Sequence, residues 1–402
     1  AMSPSTWLTV IGIGEGGLPD MTPAARACLR QATLVIGGER HLALAAEDIA
    51  GVEHRTWTNL EDTVAAVLAR RGQPTVVLAS GDPMHYGFAA TLSHKLAPGD
   101  MTVLPHLSAF CLAAARLCWP VQDIACLSAH GRPIEALAPH VHDGARLLIL
   151  SADGRTPAAV AALLERLDFA PSTLTVLEHL GGPQEKTFVW SPGTPCADLN
   201  TLAVECRAAP GALGLSRVPG LPDGAFTHDG QLTKREARAV TLSLLAPRPG
   251  ELLWDVGAGS GSIAIEWLRA VPHTRVVAFE RDPTRLATVQ ANALTLGVPS
   301  LIAVGGEAPA VLADFAEDPP HAVFVGGGLS RLGETLLDAA WGYLRPGGRL
   351  VANAVTKDSQ AALTAFHARR GGTMTRLQVS RLLPSGGWDD RSPLLHYLGS
   401  KP

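Results

Sequence analysis

The sequence predicts an α/β protein of two domains, the second a seven-stranded, doubly wound, Rossmann-like sheet. Three observations carry this. The chain has 402 residues, more than one ordinary hydrophobic core accommodates. Short β-rich runs alternate with Ala-rich helical patterns in both halves, the signature of largely parallel, helix-covered sheets. Between the halves, "AAPGALGLSRVPGLPDGAF" is dense in Gly and Pro with little periodicity, which predicts a linker at 209–225 between domains at 1–208 and 226–402.

In the first half "WLTVIGIG" reads as a strand, and "TPAARACLRQA" as a helix with Thr22 as N-cap and Pro23 in the first turn. "TLVIGG", "TVVLAS", "MTVLP", "DIACLSA", "RLLILSA" and "LTVLEHLG" follow as strands. Helices are expected around 60–71, 87–96, 108–117 and 157–167. In the second half the helix "TKREARAVTLSLL" precedes the strand "ELLWDVG". Helices 262–270, 284–296, 331–344 and 358–370 then alternate with "RVVAFE", "LIAVGG", "HAVFVGGG" and "RLVANAV". Two final strands, near 374–383 and 394–399, close the sheet as a terminal hairpin.

Composition excludes several function classes. With 47% hydrophobic and 17% charged residues the chain is globular, and a formal net charge of −4 leaves neither half basic enough to neutralise a nucleic-acid backbone. No nucleic-acid partner is therefore expected. No apolar run is long enough to span a bilayer, and no basic segment followed by an apolar run opens the sequence, so neither a membrane anchor nor an export signal is expected. The six cysteines form no C-x-x-C pair, and Cys111 and Cys118 lie seven apart on an apolar helical stretch, as core packing would have it. A reducing, cytoplasmic setting follows. His106 and His130 lack a second ligand-spaced His or acid and read as structural, so no metal is expected.

Two glycine clusters carry the chemistry. In "WDVGAGSGS" the residues Gly257, Ala258, Gly259, Ser260 and Gly261 lie between the first strand of the second half and a helix starting at Ser262. That turn opens a crevice where a ligand lies against bare main chain. Glu280 ends the next strand, where an acid can accept hydrogen bonds from both hydroxyls of a ribose. "GGEAP" ends a third strand and brings Glu307 and Ala308 to where an adenine edge would sit. The earlier cluster, "TVIGIGEGGLPD", has Gly12, Gly14 and Gly17 in the G-x-G-x-x-G spacing of a dinucleotide loop. Its helix starts late, however: Leu18, Pro19 and Asp20 intervene before the cap at Thr22. A pyrophosphate loop would run straight into the helix.

The second half resembles the class I S-adenosylmethionine-dependent methyltransferases. More narrowly, "GQLTKREARAVTLSLLAPRPGELLWDVGAGSGSIAIEWLR", "VFVGGGL" and "LRPGGRLVANAVT" resemble the precorrin C15-methyltransferases and decarboxylases of cobalamin biosynthesis. The resemblance implies cofactor contacts at Thr233, at Gly257 through Gly261, at Glu280 and at Ala308. The first half, through its opening loop and the "SGDP" turn, resembles the class III tetrapyrrole methyltransferases, whose cofactor lies in a cleft between two α/β lobes. There the implied contacts are Asp82, His85, Ser108 and Ala109, with Glu15 near the opening loop.

The fused pair resembles the decarboxylating precorrin C5,C15-methyltransferases. This implies methylation of a precorrin at C5 by the first domain and at C15 by the second, with loss of the ring C acetate carboxyl. The implied cofactor is S-adenosyl-L-methionine, and the implied assembly is a homo-oligomer. No catalytic acid or base is assigned, because a sulfonium methyl and an electron-rich pyrrolic carbon need chiefly positioning. A substrate with many carboxylates favours Arg and Lys at the cleft mouth. Lys234, Arg238 and Arg381 are the candidates, with Asn353 in the pocket and Arg331, Lys357 and Arg391 as further cations. Two alternatives stand beside this reading: a class I nucleic-acid methyltransferase, and a nicotinamide-dependent oxidoreductase built on the first half.

Overall fold

Strand β1 (Leu8–Ile13) is buried along its whole length, and it organises the first half. In the computed structural model, which describes residues 6–57, 59–390 and 392–402, β2 (Leu34–Gly37), β3 (Glu53–Thr56), β4 (Thr75–Ser80) and β5 (Met101–Leu104) complete its sheet. The order is β3-β2-β4-β1-β5, and every pairing is parallel. The helix Pro23–Gln31 covers it, with the Thr22 side chain accepting from the Ala25 N–H and Leu29 fully buried.

A second sheet contains β6 (Ala125–Ser128), β7 (Arg146–Leu150), β8 (Thr173–Glu178), β9 (Lys186–Val189) and β10 (Asn200–Glu205), ordered β6-β7-β10-β8-β9. Only β6 and β7 run parallel. The expectation of a largely parallel sheet thus holds for the first lobe and not for the second. The difference comes from β10, which inserts antiparallel between β7 and β8, and from β9, which pairs antiparallel with β8 at the edge. The β10 run "NTLAV" is buried but carries no alternation and follows no helix, so the sequence pattern gave no signal for it.

The remaining strands are β11 (Leu252–Val256), β12 (Arg275–Glu280), β13 (Ile302–Gly305), β14 (Ala322–Val325), β15 (Arg349–Ala354), β16 (Thr373–Leu377), β17 (Ser380–Leu382), β18 (Trp388–Asp390) and β19 (Leu394–Ser400). Seven of them form one sheet in the order β13-β12-β11-β14-β15-β19-β16, with β19 antiparallel to both neighbours. The expected strand 374–383 breaks after Leu377. Its end becomes β17, which pairs with β18 in a separate hairpin closed by "PSGG", where Gly386 takes a φ of 88°. The expected helix 331–344 is likewise divided, into Leu329–Leu332 and Glu334–Tyr343, at Gly333 with φ 55°.

Close contacts divide the chain into two compact units, residues 1–134 with 140–213 and residues 135–139 with 214–402. Among the described residues no helix is long and apolar enough to cross a membrane.

Arg238 departs from expectation. It is completely buried rather than facing a cleft. Its guanidinium donates to Glu266 at 2.5 Å, to Asp223 at 3.1 Å, and to the Thr233 and Leu221 carbonyls. Glu266 in turn accepts the N–H groups of Gly220 and Leu221, so this buried pair pins the end of the Gly/Pro-rich stretch onto the helix Ser262–Ala270. Four of its five N–H donors are taken and the group is sealed from solvent, so Arg238 holds the fold rather than gripping substrate. Truncating one member of such a pair leaves an uncompensated buried charge. Arg238→Ala should therefore destabilise this unit by about 3–5 kcal/mol in denaturant unfolding followed by the fluorescence of Trp254 and Trp267.

Candidate functional site

The carboxyl ends of the parallel strands β11 to β15 open onto a cleft of about 750 Å³. Its wall includes the loop after β11, whose geometry is dictated by glycine. Gly257 has a φ of 74°, and a Cβ there would stand 2.7 Å from the Cα of Gly327 in the loop after β14. The two loops touch backbone to backbone, which only paired glycines permit. Gly259, at φ 60°, is open instead: an added Cβ would meet only the Gln231 carbonyl, at 3.6 Å. Gly261 serves packing rather than the cleft, since a Cβ there would press on Val289 at 2.9 Å.

Glu280 at the end of β12 is 5% exposed. Its Oε2 accepts the Gly259 N–H at 2.8 Å and its Oε1 accepts the Asp282 N–H at 3.0 Å. Each oxygen keeps a lone pair, so the carboxylate is fixed in place and still able to accept from a ligand. Thr233, Lys234, Ala258, Ser260, Glu307, Ala308, Asn353 and Arg381 line the same cleft. The Glu307 side chain is exposed and paired with Arg331, with Arg281 at 3.6 Å, which leaves its backbone and that of Ala308 to meet a ligand. Asn353 donates from Nδ2 to the Thr241 hydroxyl at 2.9 Å. Lys357 is exposed on its helix and is not among the residues lining the cleft, and Arg391 lies outside the described residues.

Behind the loop, Asp255 is fully buried. Its Oδ2 accepts the Ala264 N–H at 3.1 Å, and its Oδ1 finds no partner among the described residues. Burial pushes this carboxyl up to about 7, with the nearby Glu280 charge adding to the effect.

In the first unit the opening loop is a junction between strand ends. A Cβ on Gly12 would stand 2.0 Å from the Gly81 carbonyl, and one on Gly14 would stand 2.6 Å from the His106 ring. A short 3-10 turn, Leu18–Asp20, separates the loop from the helix at Pro23. The glycines admit neighbouring chain, and the dinucleotide spacing has no pyrophosphate geometry behind it. Glu15 is likewise engaged: it pairs with Arg40 and faces His179 at 3.5 Å. It braces the loop instead of offering a free carboxylate.

Asp82 accepts the Met84 N–H at 2.9 Å, which shapes the turn after β4. His85 is exposed, stacks on Tyr86 at a centroid distance of 5.5 Å and meets the Phe110 ring at a tilt at 4.5 Å. Ser108 is the N-cap of the helix Ala109–Leu117, with its hydroxyl accepting the Cys111 N–H at 3.2 Å. These residues sit on loops after β4 and β5, and the close approach of Gly81 to Leu107 and Ser108 brings the two loops together. One cluster escaped the sequence reading. Arg40 and His41 both reach the Ser80 hydroxyl, at 2.9 and 2.8 Å, and burial pushes His41 down to about 4, so it is neutral. The "GERH" that follows β2 was the available signal.

The Asp255 carboxyl has a measurable consequence. Its folded value of about 7 lies above the ordinary 3.8, so the folded chain keeps a proton that the unfolded chain releases. Stability from this group is fully present below about pH 4 and falls as pH rises through about 7. Asp255→Asn stays neutral and keeps an acceptor for Ala264. Thermal melts across this range should show the wild type losing Tm relative to the variant as pH rises.

Comparisons with known proteins agree along the chain. Residues 224–400 match the family described as precorrin methyltransferase domain, and residues 7–194 match the tetrapyrrole (corrin/porphyrin) methylases. A precorrin-6Y C(5,15)-methyltransferase (decarboxylating) from Sinorhizobium sp. is 46% identical over 99% of this chain and 97% of its own. A protein of the same description from Mycobacterium tuberculosis is 40% identical over 96% and 97%. A cobalt-precorrin-6B C(15)-methyltransferase (decarboxylating) from Salmonella typhimurium is 35% identical over 39% of this chain and 80% of its own. The chain therefore belongs to the decarboxylating precorrin-6Y C(5,15)-methyltransferase family.

Proposed function

We propose that the chain transfers methyl groups from S-adenosylmethionine to a precorrin, at C5 in its N-terminal unit and at C15 in its C-terminal unit, and removes the ring C acetate carboxyl in the latter. Membership of the family supports the activity as a whole. The observation that carries the C-terminal assignment is the cleft over β11 to β13, where Glu280 is held by two backbone donors yet keeps acceptor capacity toward the opening.

The fit to an adenosyl ligand is testable on the residues present. A cleft of about 750 Å³ lies within the roughly 300–1,000 Å³ of small-molecule sites. Gly259 leaves room for a ligand against main chain, and Glu280 offers the oxygens that two ribose hydroxyls require. The Glu307–Ala308 backbone borders the position of the base, and Thr233 and Ser260 complete the wall. In the N-terminal unit the corresponding contacts are Asp82, His85, Ser108 and Ala109, with Glu15 in the opening loop. When bound, the sulfonium supplies an already activated methyl group. The chain's task is to hold the acceptor carbon in line and to exclude water. A macrocycle with delocalised electrons serves as the sink for the electron pair that the departing carboxyl leaves behind.

Gly259→Arg tests the division of labour, because the added side chain enters open cleft space. With precorrin-6B and S-adenosylmethionine, product mass should show two methyl additions and one loss of carbon dioxide for the wild type. The variant should give at most one methyl addition and no loss of carbon dioxide. Both methylations persisting in the variant would contradict the assignment of the cleft.

A further inference from the structure

The order of the seven-stranded sheet divides the C-terminal cleft into two ends. The glycine loop, Glu280 and Glu307 belong to β11, β12 and β13 on one side of β14. Asn353 lies in β15 and Val355 just after it, while Leu377 ends β16, Val379 follows it and Leu394 opens β19, all on the other side of β14. That second end has an apolar wall of Val355, Leu377, Val379 and Leu394, and Val355 is 56% exposed although it lines a cleft. An exposed apolar wall in a cleft that also holds cations suits a flat, hydrophobic ligand with an acidic rim.

The cations of the cleft are not equivalent. Arg331 and Arg281 meet Glu307, and Arg285 donates to Asp229 at 2.8 Å. Lys234 is half-buried, and its ammonium has no ion-pair or hydrogen-bond partner among the described residues, while its carbonyl accepts the Arg238 N–H at 2.8 Å. Arg381, on the hairpin strand β17, donates from one nitrogen to Glu236 at 2.6 Å. Asp389 stands opposite Arg381 in the hairpin and adds to its negative surroundings. A guanidinium has five N–H donors in a fixed fork, and Glu236 takes one of them, so Arg381 has donors to offer a further carboxylate. Glu236 also ties the hairpin to the first turn of the helix Arg235–Leu245, two residues beyond Lys234. Lys234 and Arg381 both line the cleft, and Glu236, the partner of Arg381, lies two positions along the chain from Lys234.

We propose that Lys234 and Arg381 form a carboxylate clamp that grips two acidic side chains of the tetrapyrrole rim, with Glu236 as the positioning residue that aims Arg381. This rests on the reading of the cleft as a tetrapyrrole site. The carboxylates gripped by the clamp are those the product retains, because an ionic partner stabilises a carboxylate against loss. The carboxyl that departs lies toward the uncharged part of the wall, near Asn353.

Rates of carbon dioxide release, measured against tetrapyrrole and against S-adenosylmethionine in the full chain, test this. Lys234→Met and Arg381→Met should each raise the KM for tetrapyrrole by about 10- to 100-fold, as expected for a lost charge-assisted contact. The KM for S-adenosylmethionine should stay as it is. Lys234→Arg keeps the charge and should retain most of the affinity. Glu236→Gln keeps an oxygen for Arg381 and should shift the KM by less than about 5-fold, whereas Glu236→Leu should raise it with little change in kcat. Unchanged tetrapyrrole KM in both methionine variants overturns the clamp, as does a parallel rise in both KM values. No carbon dioxide release by the wild type refutes the underlying reading and the clamp with it, and is thereby told apart from the other outcomes.

Discussion

One buried carboxylate coordinates the C-terminal cleft. Glu280 receives the Gly259 N–H on one oxygen and the Asp282 N–H on the other, and so locks the loop after β11 to the loop after β12. Its cost of burial is offset by those two charge-assisted bonds. The loop it holds can adopt its path because Gly257 and Gly259 take left-handed backbone conformations and because Gly327 lets two strand ends meet. The fit to an adenosyl group depends on that arrangement, since a carboxylate that swung freely would not present both oxygens together.

The two glycine clusters look alike in sequence and differ in cause. Around Gly257–Gly261 the helix begins at Ser262, directly after the turn, and one glycine faces open space. Around Gly12–Gly17 the glycines are filled by the Gly81 carbonyl and the His106 ring, and a 3-10 turn delays the helix. Helix onset, legible from Pro19 and Thr22, separates the two cases. Spacing alone would not have done so.

Legibility followed periodicity. The β11–β15 series, its alternating helices and the Thr22 cap were readable because each is a local pattern with a local cause. Strand β10 was not, because its place between β7 and β8 is set by long-range pairing. Arg238 read as a cleft cation for the same reason. Its partners, Asp223, Leu221 and Glu266, lie up to 28 residues away, and charge type alone cannot tell a buried strut from a substrate hook. Strand β17 hid inside one apparent strand, 374–383, and its partner β18 fell between the expected elements, although "PSGG" marked the turn that joins them. The hairpin brings Arg381 to Glu236 across 145 positions of sequence, a contact that no window of sequence contains.

The central claim is that one chain carries two sites for the same cofactor on two different folds. Calorimetric titration of the full chain with S-adenosylhomocysteine measures this directly. Two binding sites per chain are expected, one of which disappears in Gly259→Arg, with no binding of NADH. A single site in the wild type that survives Gly259→Arg, or saturable binding of NADH, would contradict it.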